Sequence, residues 1–483
     1  MTVTIMHISD LHRDSGSQIT TTALLNSLAR DRARYMDRED IPGPDLAVVS
    51  GDIIYGVKGG DKEGEQKLQA QYDEAHDFLV ALADRFFEGD RERVILVPGN
   101  HDVSMSHVER AITPVPVPEE PDKKAILVSR LLGHDPKLRW RWADFSTLEI
   151  TDPHLYEQRL EPYSRFYHRF YEGKRTFPVD PGNQFSVHDF PGLGVSFVGL
   201  SSCHENDIYN RTGRIHPDAL AQAMEVVSPC FKKGRLVIGV WHHSIQGGPK
   251  ETDYVDSDLL QALMDGNCSI GMHGHQHRPQ LLEHRFTPDR KRSISIISAG
   301  TLCGGPRSLP AGRMRAYNLV VLDIQEGKGT IHVRHMANSD FSSPVWGAGY
   351  VTEFGGTSID FELPKSAVPV IQPLAVAGEA DQLLRLGDPS AAYEIVKPLL
   401  DNPMLRRIAA SALSDMGDWR EIIEVFKCPR SPAEFILLSE AYEELGAWEE
   451  MRTLHSSDFA QAQTDSAIKQ RIEMCRATLM GKK

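Results

Sequence analysis

Arg93-Val94-Ile95-Leu96-Val97-Pro98-Gly99-Asn100-His101-Asp102 decides how this chain is to be read. The apolar run predicts a buried strand, and the glycine turn ends it abruptly. Asn100, His101 and Asp102 then stand together at the strand's carboxyl end. In open α/β sheets the ligand crevice lies outside those ends. Four more junctions have the same shape. Residues 3–8 run into Ser9-Asp10-Leu11-His12, and residues 45–50 into Gly51-Asp52. Residues 235–240 run into Trp241-His242-His243, and residues 268–272 into His273-Gly274-His275-Gln276-His277. Five strand ends therefore collect Asp, Asn and His, the hard and borderline ligands that suit manganese, iron and zinc.

The order D-x-H, G-D, G-N-H-D, H and G-H-x-H, spread over residues 9–277, resembles the calcineurin-like metallophosphoesterases. In texture it looks most like the cyclic-nucleotide phosphodiesterases of that superfamily. One such motif alone recurs by chance; the signal lies in all five, in order, each behind a predicted strand. The resemblance implies an α/β fold in which a two-sheet β-sandwich is flanked by helices. It implies two divalent metal ions, manganese first, with iron or zinc as the other candidates. Asp52 is the candidate bridge between them. Asp10, His12 and His277 would complete one metal's shell; Asn100, His242 and His275 would complete the other's. His242 is preferred over His243, which is expected behind the ligands. The alternation in His275-Gln276-His277 fits an extended segment with both imidazoles on one side. His7 and His273, inside strand patterns, are expected in the core or as supports. His101 is free of ligand duty and is expected to protonate the leaving group, with Asp102 orienting its ring and raising its pKa.

The expected activity is two-metal-dependent hydrolysis of a phosphoester, foremost a phosphodiester in a nucleotide or nucleic acid, by a metal-bridging hydroxide with His101 assisting departure. The alternatives are a phosphomonoesterase or protein phosphatase, a nuclease of the DNA-break-repair type, and a scaffold with a vestigial metal site. The net charge of −14 argues against a surface coated in phosphate-binding cations, though not against a local basic patch.

At 483 residues, more than one domain is expected. Residues 1–340 are assigned to the metallophosphoesterase domain. Leu24, Leu25, Leu28 and Tyr35 suit one amphipathic helix; Leu68, Tyr72, Ala75, Leu79, Leu82 and Phe86 suit another. The glycine-rich loop from Gly56 to Gly64 reads as a mobile, solvated connector. Residues 103–185 interrupt the sheet pattern and are assigned to a helical cap insert over the site. Pro114, Pro116, Pro118 and Pro121 exclude a helix in the stretch they span, and Tyr163, Phe166, Tyr167, Phe170 and Tyr171 form a stripe read as core packing. Arg139, Arg141, Arg165 and Arg169 are the candidate substrate contacts, weighed against ordinary solvated charge. Runs near 293–298, 317–323 and 330–334 alternate like a second sheet.

Residues 341–375 are rich in Gly, Ser and Pro and read as a linker or surface arm. Residues 376–483 turn all-helical. Leu386-Gly387-Asp388, Met416-Gly417-Asp418-Trp419 and Leu445-Gly446-Ala447-Trp448 recur between apolar helices and resemble tetratricopeptide repeats, with a shorter period and part of the pattern. This helical-repeat domain is expected to dock a protein partner or a second copy of the chain, and residues 467–480 to close it. No apolar stretch is long enough to span a membrane, a strand begins almost at once where a signal peptide would stand, and the six cysteines lack C-x-x-C spacing. A cytoplasmic location is expected.

Overall fold

The apolar runs are strands buried on both faces, and their alternate residues feed two different cores. In β1 (Thr2–Ile8), β2 (Leu46–Ser50) and β3 (Val94–Val97), the side chains of Val3, Ile5, Leu46, Val48, Ile95 and Val97 enter a core between two sheets. Met6, Ile8, Ala47, Val49, Val94 and Leu96 enter a second core, which they share with α1 (Thr21–Arg38) and α2 (Gly64–Phe87). The three strands are parallel neighbours, as the intervening helices require. This computed structural model describes residues 2–14, 19–247, 253–286, 292–305, 309, 312–338, 340–363, 373–462 and a few positions from there to 477. It divides into two units, Met1–Pro369 and Val370–Lys483.

The insert follows β3. It contains α3 (Met105–Ala111), β4 (Ile112–Val115), α4 (Pro121–Leu132), β5 (Leu138–Arg141), β6 (Ser146–Ile150), α5 (Pro153–Glu157) and α6 (Glu161–Phe170). It is not simply helical as expected: its three strands form an antiparallel sheet in the order β4-β6-β5. Pro114 lies within β4, where its fixed φ is compatible with an extended edge. The aromatic stripe of α6 is buried, with the Phe166 ring tilted against the Tyr72 ring of α2 at 5.1 Å between centroids.

The second sheet comprises β7 (Phe185–Phe190), β8 (Val195–Leu200), β9 (Leu236–Val240), β10 (Cys268–His273), β11 (Gln280–Arg285) and β12 (Ser293–Ser298), in the order β11-β12-β10-β9-β8-β7. Phe197, Ile238, Val240, Ile270 and Met272 project from it into the core between the sheets. Its other face packs on α7 (Pro217–Lys232) and α8 (Asp258–Asp265). The architecture is thus the expected two-sheet sandwich flanked by helices.

The first sheet is completed by β13 (Ala316–Asp323) and β14 (Lys328–Met336), and by two strands inside the stretch read as a linker. These are β15 (Trp346–Ala348) and β16 (Ser358–Glu362), both antiparallel to β14. Trp346 is buried, and its indole N–H donates to Ser27 Oγ at 2.9 Å. Residues 346–348 and 358–362 therefore belong to the sheet, and Trp346 and Phe361 outweigh the Gly/Ser composition around them.

The second unit carries α9 (Pro373–Arg385), α10 (Pro389–Val396), α11 (Pro403–Met416), α12 (Trp419–Phe426), α13 (Pro432–Glu444), α14 (Trp448–His455) and α15 (Asp458–Gln461). The recurring Gly-Asp has a plain cause. Gly387 and Gly417 sit in the left-handed region just past one helix, and Asp388 and Asp418 cap the next by accepting from Ala391 N–H and Glu421 N–H. The closing helix expected at 467–480 falls largely outside the described residues. No described helix is long and apolar enough to cross a membrane.

Candidate metal centre

Asp10, His12, Asp52, Asn100, His242, His275 and His277 converge from the carboxyl ends of β1, β2, β3, β9 and β10. They form two nests that share Asp52. In the first, Asp10 Oδ1 lies 3.0 Å from His277 Nε2 and 3.9 Å from His12 Nε2. The two imidazole nitrogens face one another at 3.4 Å. In the second, Asn100 Oδ1 stands 3.0 Å from both His242 Nε2 and His275 Nδ1, which are 3.3 Å apart. Asp52 turns Oδ1 toward His242 Nε2 at 3.3 Å and Oδ2 toward His12 Nε2 at 4.0 Å. One carboxylate thus addresses both nests with different oxygens.

The backbone is shaped for this convergence. Asp10, His12, Asp52, His275 and His277 all have positive φ, between 43° and 71°. Non-glycine residues enter that region rarely, and such strain collects at functional sites. The segment from His275 to His277 is accordingly bent, not extended as expected, although both rings still reach the centre. Gly99 allows a close approach: a Cβ there would stand 2.3 Å from both Asp52 N and Asp52 Oδ1.

The donor set fits a pair of divalent cations. Imidazole nitrogens opposed at 3.3–3.4 Å among carboxylate and amide oxygens are convergent lone pairs, which only protons or cations can satisfy. Without a cation the charges lean on one another. Burial alone would raise Asp52, yet His242, His101 and His12 hold it well below the usual carboxylate range. Burial alone would lower His242, yet Asp52 and Asp10 carry it up to about 9. The supports are in place as well. His242 Nδ1–H donates to the Ser50 carbonyl at 2.8 Å, fixing Nε2 as the inward nitrogen. His275 Nε2 meets Asp253 Oδ2 at 3.2 Å. His243 is buried behind the nest, bonded to Ser202 Oγ at 2.8 Å and Asn206 Nδ2 at 3.3 Å. His7 and His273 are buried supports, bonded to Ser50 Oγ and the Gly274 carbonyl.

His101 stands at the rim, partly exposed, with Nε2 3.9 Å from Asp52 Oδ2. Its Nδ1 contacts the Tyr55 carbonyl, which can only accept, so Nδ1 carries hydrogen. Asp102 does not orient that ring, contrary to expectation. Its Oδ2 accepts from Gly99 N–H at 2.8 Å and Ile53 N–H at 3.2 Å, and Oδ1 from the Tyr72 hydroxyl at 3.4 Å. Fully buried, Asp102 is pushed up to about 7 by burial and by the Asp52 charge, against those N–H bonds. It pins the turn from inside.

Beside the nests opens a cavity of about 420 Å³, bordered by Asn100, His101 and His275. The insert contributes Val103 and Met105 to its wall. The four arginines expected to meet substrate do not line it, because each is engaged by a carboxylate elsewhere. Arg139 is buried on Asp207 at 2.7 Å, Arg141 pairs with Asp144, Arg165 with Glu161, and Arg169 with Asp73. The cavity takes its cations from Lys58 and Arg211 instead. Neither carries a motif; the glycine-rich loop after Asp52 was the one available signal for Lys58. Asp253, in a loop ahead of α8, had none.

These features make a candidate two-cation centre at the carboxyl edge of a two-sheet sandwich. The family model of the calcineurin-like phosphoesterases matches residues 3–279, and the chain belongs to that family. No curated protein sequence matches the chain significantly. Solved structures similar to it include a dimetal phosphatase from Danio rerio, 12% identical, covering 69% of this chain and 96% of that one at a TM-score of 0.36. They also include the calcineurin-like phosphoesterase YfkN from Bacillus subtilis, 12% identical, covering 80% and 97% at a TM-score of 0.28.

Proposed function

We propose that this chain is a two-metal phosphodiesterase acting on a nucleotide or nucleic-acid phosphodiester, with manganese as the favoured metal. The observation that carries this reading is Asp52 addressing two separate ligand sets with its two oxygens, next to a cavity larger than a lone phosphate requires. Two divalent cations there would draw charge from the phosphoryl oxygens and acidify a water for attack. Asp10, His12 and His277 hold one position; Asn100, His242 and His275 hold the other. His101, its Nδ1–H held by the Tyr55 carbonyl, directs Nε2 into the cavity. In its imidazolium form it donates the Nε2 proton to the departing oxygen. Asp253 fixes the His275 ring so that Nδ1 faces inward.

The helical repeats carry none of these residues. We assign them to docking a protein partner or a second copy of the chain. The described cysteines are free thiols, which suits a reducing, cytoplasmic setting.

A panel of model esters with Mn²⁺ tests the activity. Cleavage of bis(p-nitrophenyl) phosphate in preference to p-nitrophenyl phosphate supports the diester reading. The reverse preference establishes a monoesterase, selective cleavage of duplex DNA a nuclease, and silence with two metals bound a scaffold.

A further inference from the structure

The wall of the cavity away from the nests has a chemistry that the hydrolysis of a small diester does not use. It combines apolar Val57, Met105 and Ile208 with the Tyr55 ring, which is 52% exposed, and two cations, Lys58 and Arg211. At about 420 Å³ it lies in the range that holds a nucleotide-sized ligand, about 300–1,000 Å³. Among the described residues neither Lys58 nor Arg211 forms an ion pair within 4.0 Å, although the Arg211 charge acts on Asp253, whereas the insert's four candidate arginines are all paired. The acids nearby are engaged. Asp253 holds His275, and Asp207 Oδ2 accepts from Arg139 at 2.7 Å and from the Tyr156 hydroxyl at 2.6 Å.

Both cations ride on loops that the insert and α2 hold still. Lys58 lies between two anchors: Gly56 N–H donates to Gln71 Oε1 and Gly60 N–H to Glu109 Oε2 of α3, each at 2.9 Å. The loop read from sequence as a solvated connector is therefore tied at both ends. Arg211 follows a turn closed by Asp207 Oδ1, which accepts from Tyr209 N–H at 2.7 Å and Asn210 N–H at 2.9 Å. Arg139 of β5 and the Tyr156 hydroxyl clamp the same carboxylate from the insert side. Cations held on braced loops lose little freedom when an anion arrives.

We infer that Lys58 and Arg211 form a second anion-binding point. The preferred substrate is then a nucleotidyl phosphodiester carrying a further phosphate besides the scissile one, with a base against Tyr55. The inference rests on the phosphodiesterase reading above. Aromatic faces accept any base, and paired cations select for phosphate count, so the site reads charge and shape rather than sequence.

The test uses the full chain with Mn²⁺ and two dinucleotides, thymidylyl-thymidine with and without a 5′-phosphate. Each charge-assisted contact is worth roughly a tenfold step. The 5′-phosphate should therefore raise kcat/KM roughly tenfold or more, and the ratio should shrink with added salt. Lys58→Ala and Arg211→Ala should each bring the ratio toward one, and Lys58→Arg should retain it. A ratio of one in the unaltered protein, or a ratio untouched by both alanine variants, overturns the inference. Binding of the same two dinucleotides by calorimetry separates the two layers of argument. A 5′-phosphate preference in binding, lost in the alanine variants but accompanied by no turnover of any diester, upholds the anion point and overturns the phosphodiesterase reading. Diester turnover with no such preference does the opposite.

Discussion

Asp52 holds His101 by its backbone and faces it by its ring. The His101 N–H donates to Asp52 Oδ1 at 2.9 Å, while ring Nε2 stands 3.9 Å from Oδ2. The carboxylate that joins the two nests therefore also sets the register of the residue expected to protonate the leaving group. Asp52→Asn removes the one charge that the two nests share. It is expected to lose at least one metal by elemental analysis and nearly all turnover. A variant with two metals and full activity would sink the bridging role.

His101 lies within ligand reach, since one atom each from His12, Asp52 and His101 fall within 4.8 Å of one another. Metal content separates the two roles. His101→Ala is expected to keep two metals and to lose roughly 10²–10⁴-fold in rate. The loss should be smaller for nitrophenol esters, whose leaving group needs no proton. Loss of a metal, or an equal rate loss for good and poor leaving groups, would count against the acid role.

Asp102 is predicted to act on folding rather than on the leaving group. In Asp102→Asn the amide oxygen can still accept from Gly99 and Ile53, and the amide N–H can donate to Tyr72. Stability should stay within about 1 kcal/mol of the starting protein. Asp102→Leu strands two buried N–H groups and should cost about 1–3 kcal/mol for each, read as a lower urea midpoint. A change in leaving-group sensitivity in Asp102→Asn would restore the role expected from sequence.

Metal binding should release a proton from His242. In the metal-free protein its pKa is carried up to about 9, so at pH 7 the ring is protonated and a cation must displace that proton. Below pH 9 the apparent affinity should rise about tenfold per pH unit, and above it the dependence should flatten. Calorimetry in buffers of different ionisation enthalpy counts the proton. An affinity indifferent to pH between 6 and 8 would show that His242 enters the site neutral.

A chain ending near Ser366 is expected to retain two metals and activity on a small ester, because every candidate ligand precedes it. Light scattering then reports whether the mass falls by more than the deleted unit. A folded, metal-loaded but inactive product would place the repeats in the active site.

The sheet strands were legible because runs such as residues 94–97 are apolar on both faces, and the ligands because each follows such a run directly. What was hidden is carried by backbone or by distant partners. The Tyr55 carbonyl on His101 has no side-chain signature. The left-handed φ of Asp52 or His275 leaves no glycine to mark it. Two of the insert's arginines have carboxylates far along the chain, Asp73 being 96 residues from Arg169 and Asp207 68 from Arg139, whereas Arg141 and Arg165 pair locally with Asp144 and Glu161. Asp102 was assigned to His101 by adjacency, whereas a short helical turn points neighbouring side chains in different directions.

The left-handed backbone at Asp10, His12, Asp52, His275 and His277 bears on how such a chain can age. Each position stores on the order of 1–3 kcal/mol of conformational strain. Glycine at any of them would relieve it while abolishing a ligand, so loss of catalysis and gain of metal-free stability lie along the same substitution. A descendant relieved of the reaction has every thermodynamic reason to drift toward glycine there. Seven other non-glycine residues, Asp40 and Glu88 among them, share that backbone region, so it is the side chains at these five positions, not the angles alone, that hold the strain in place for a metal.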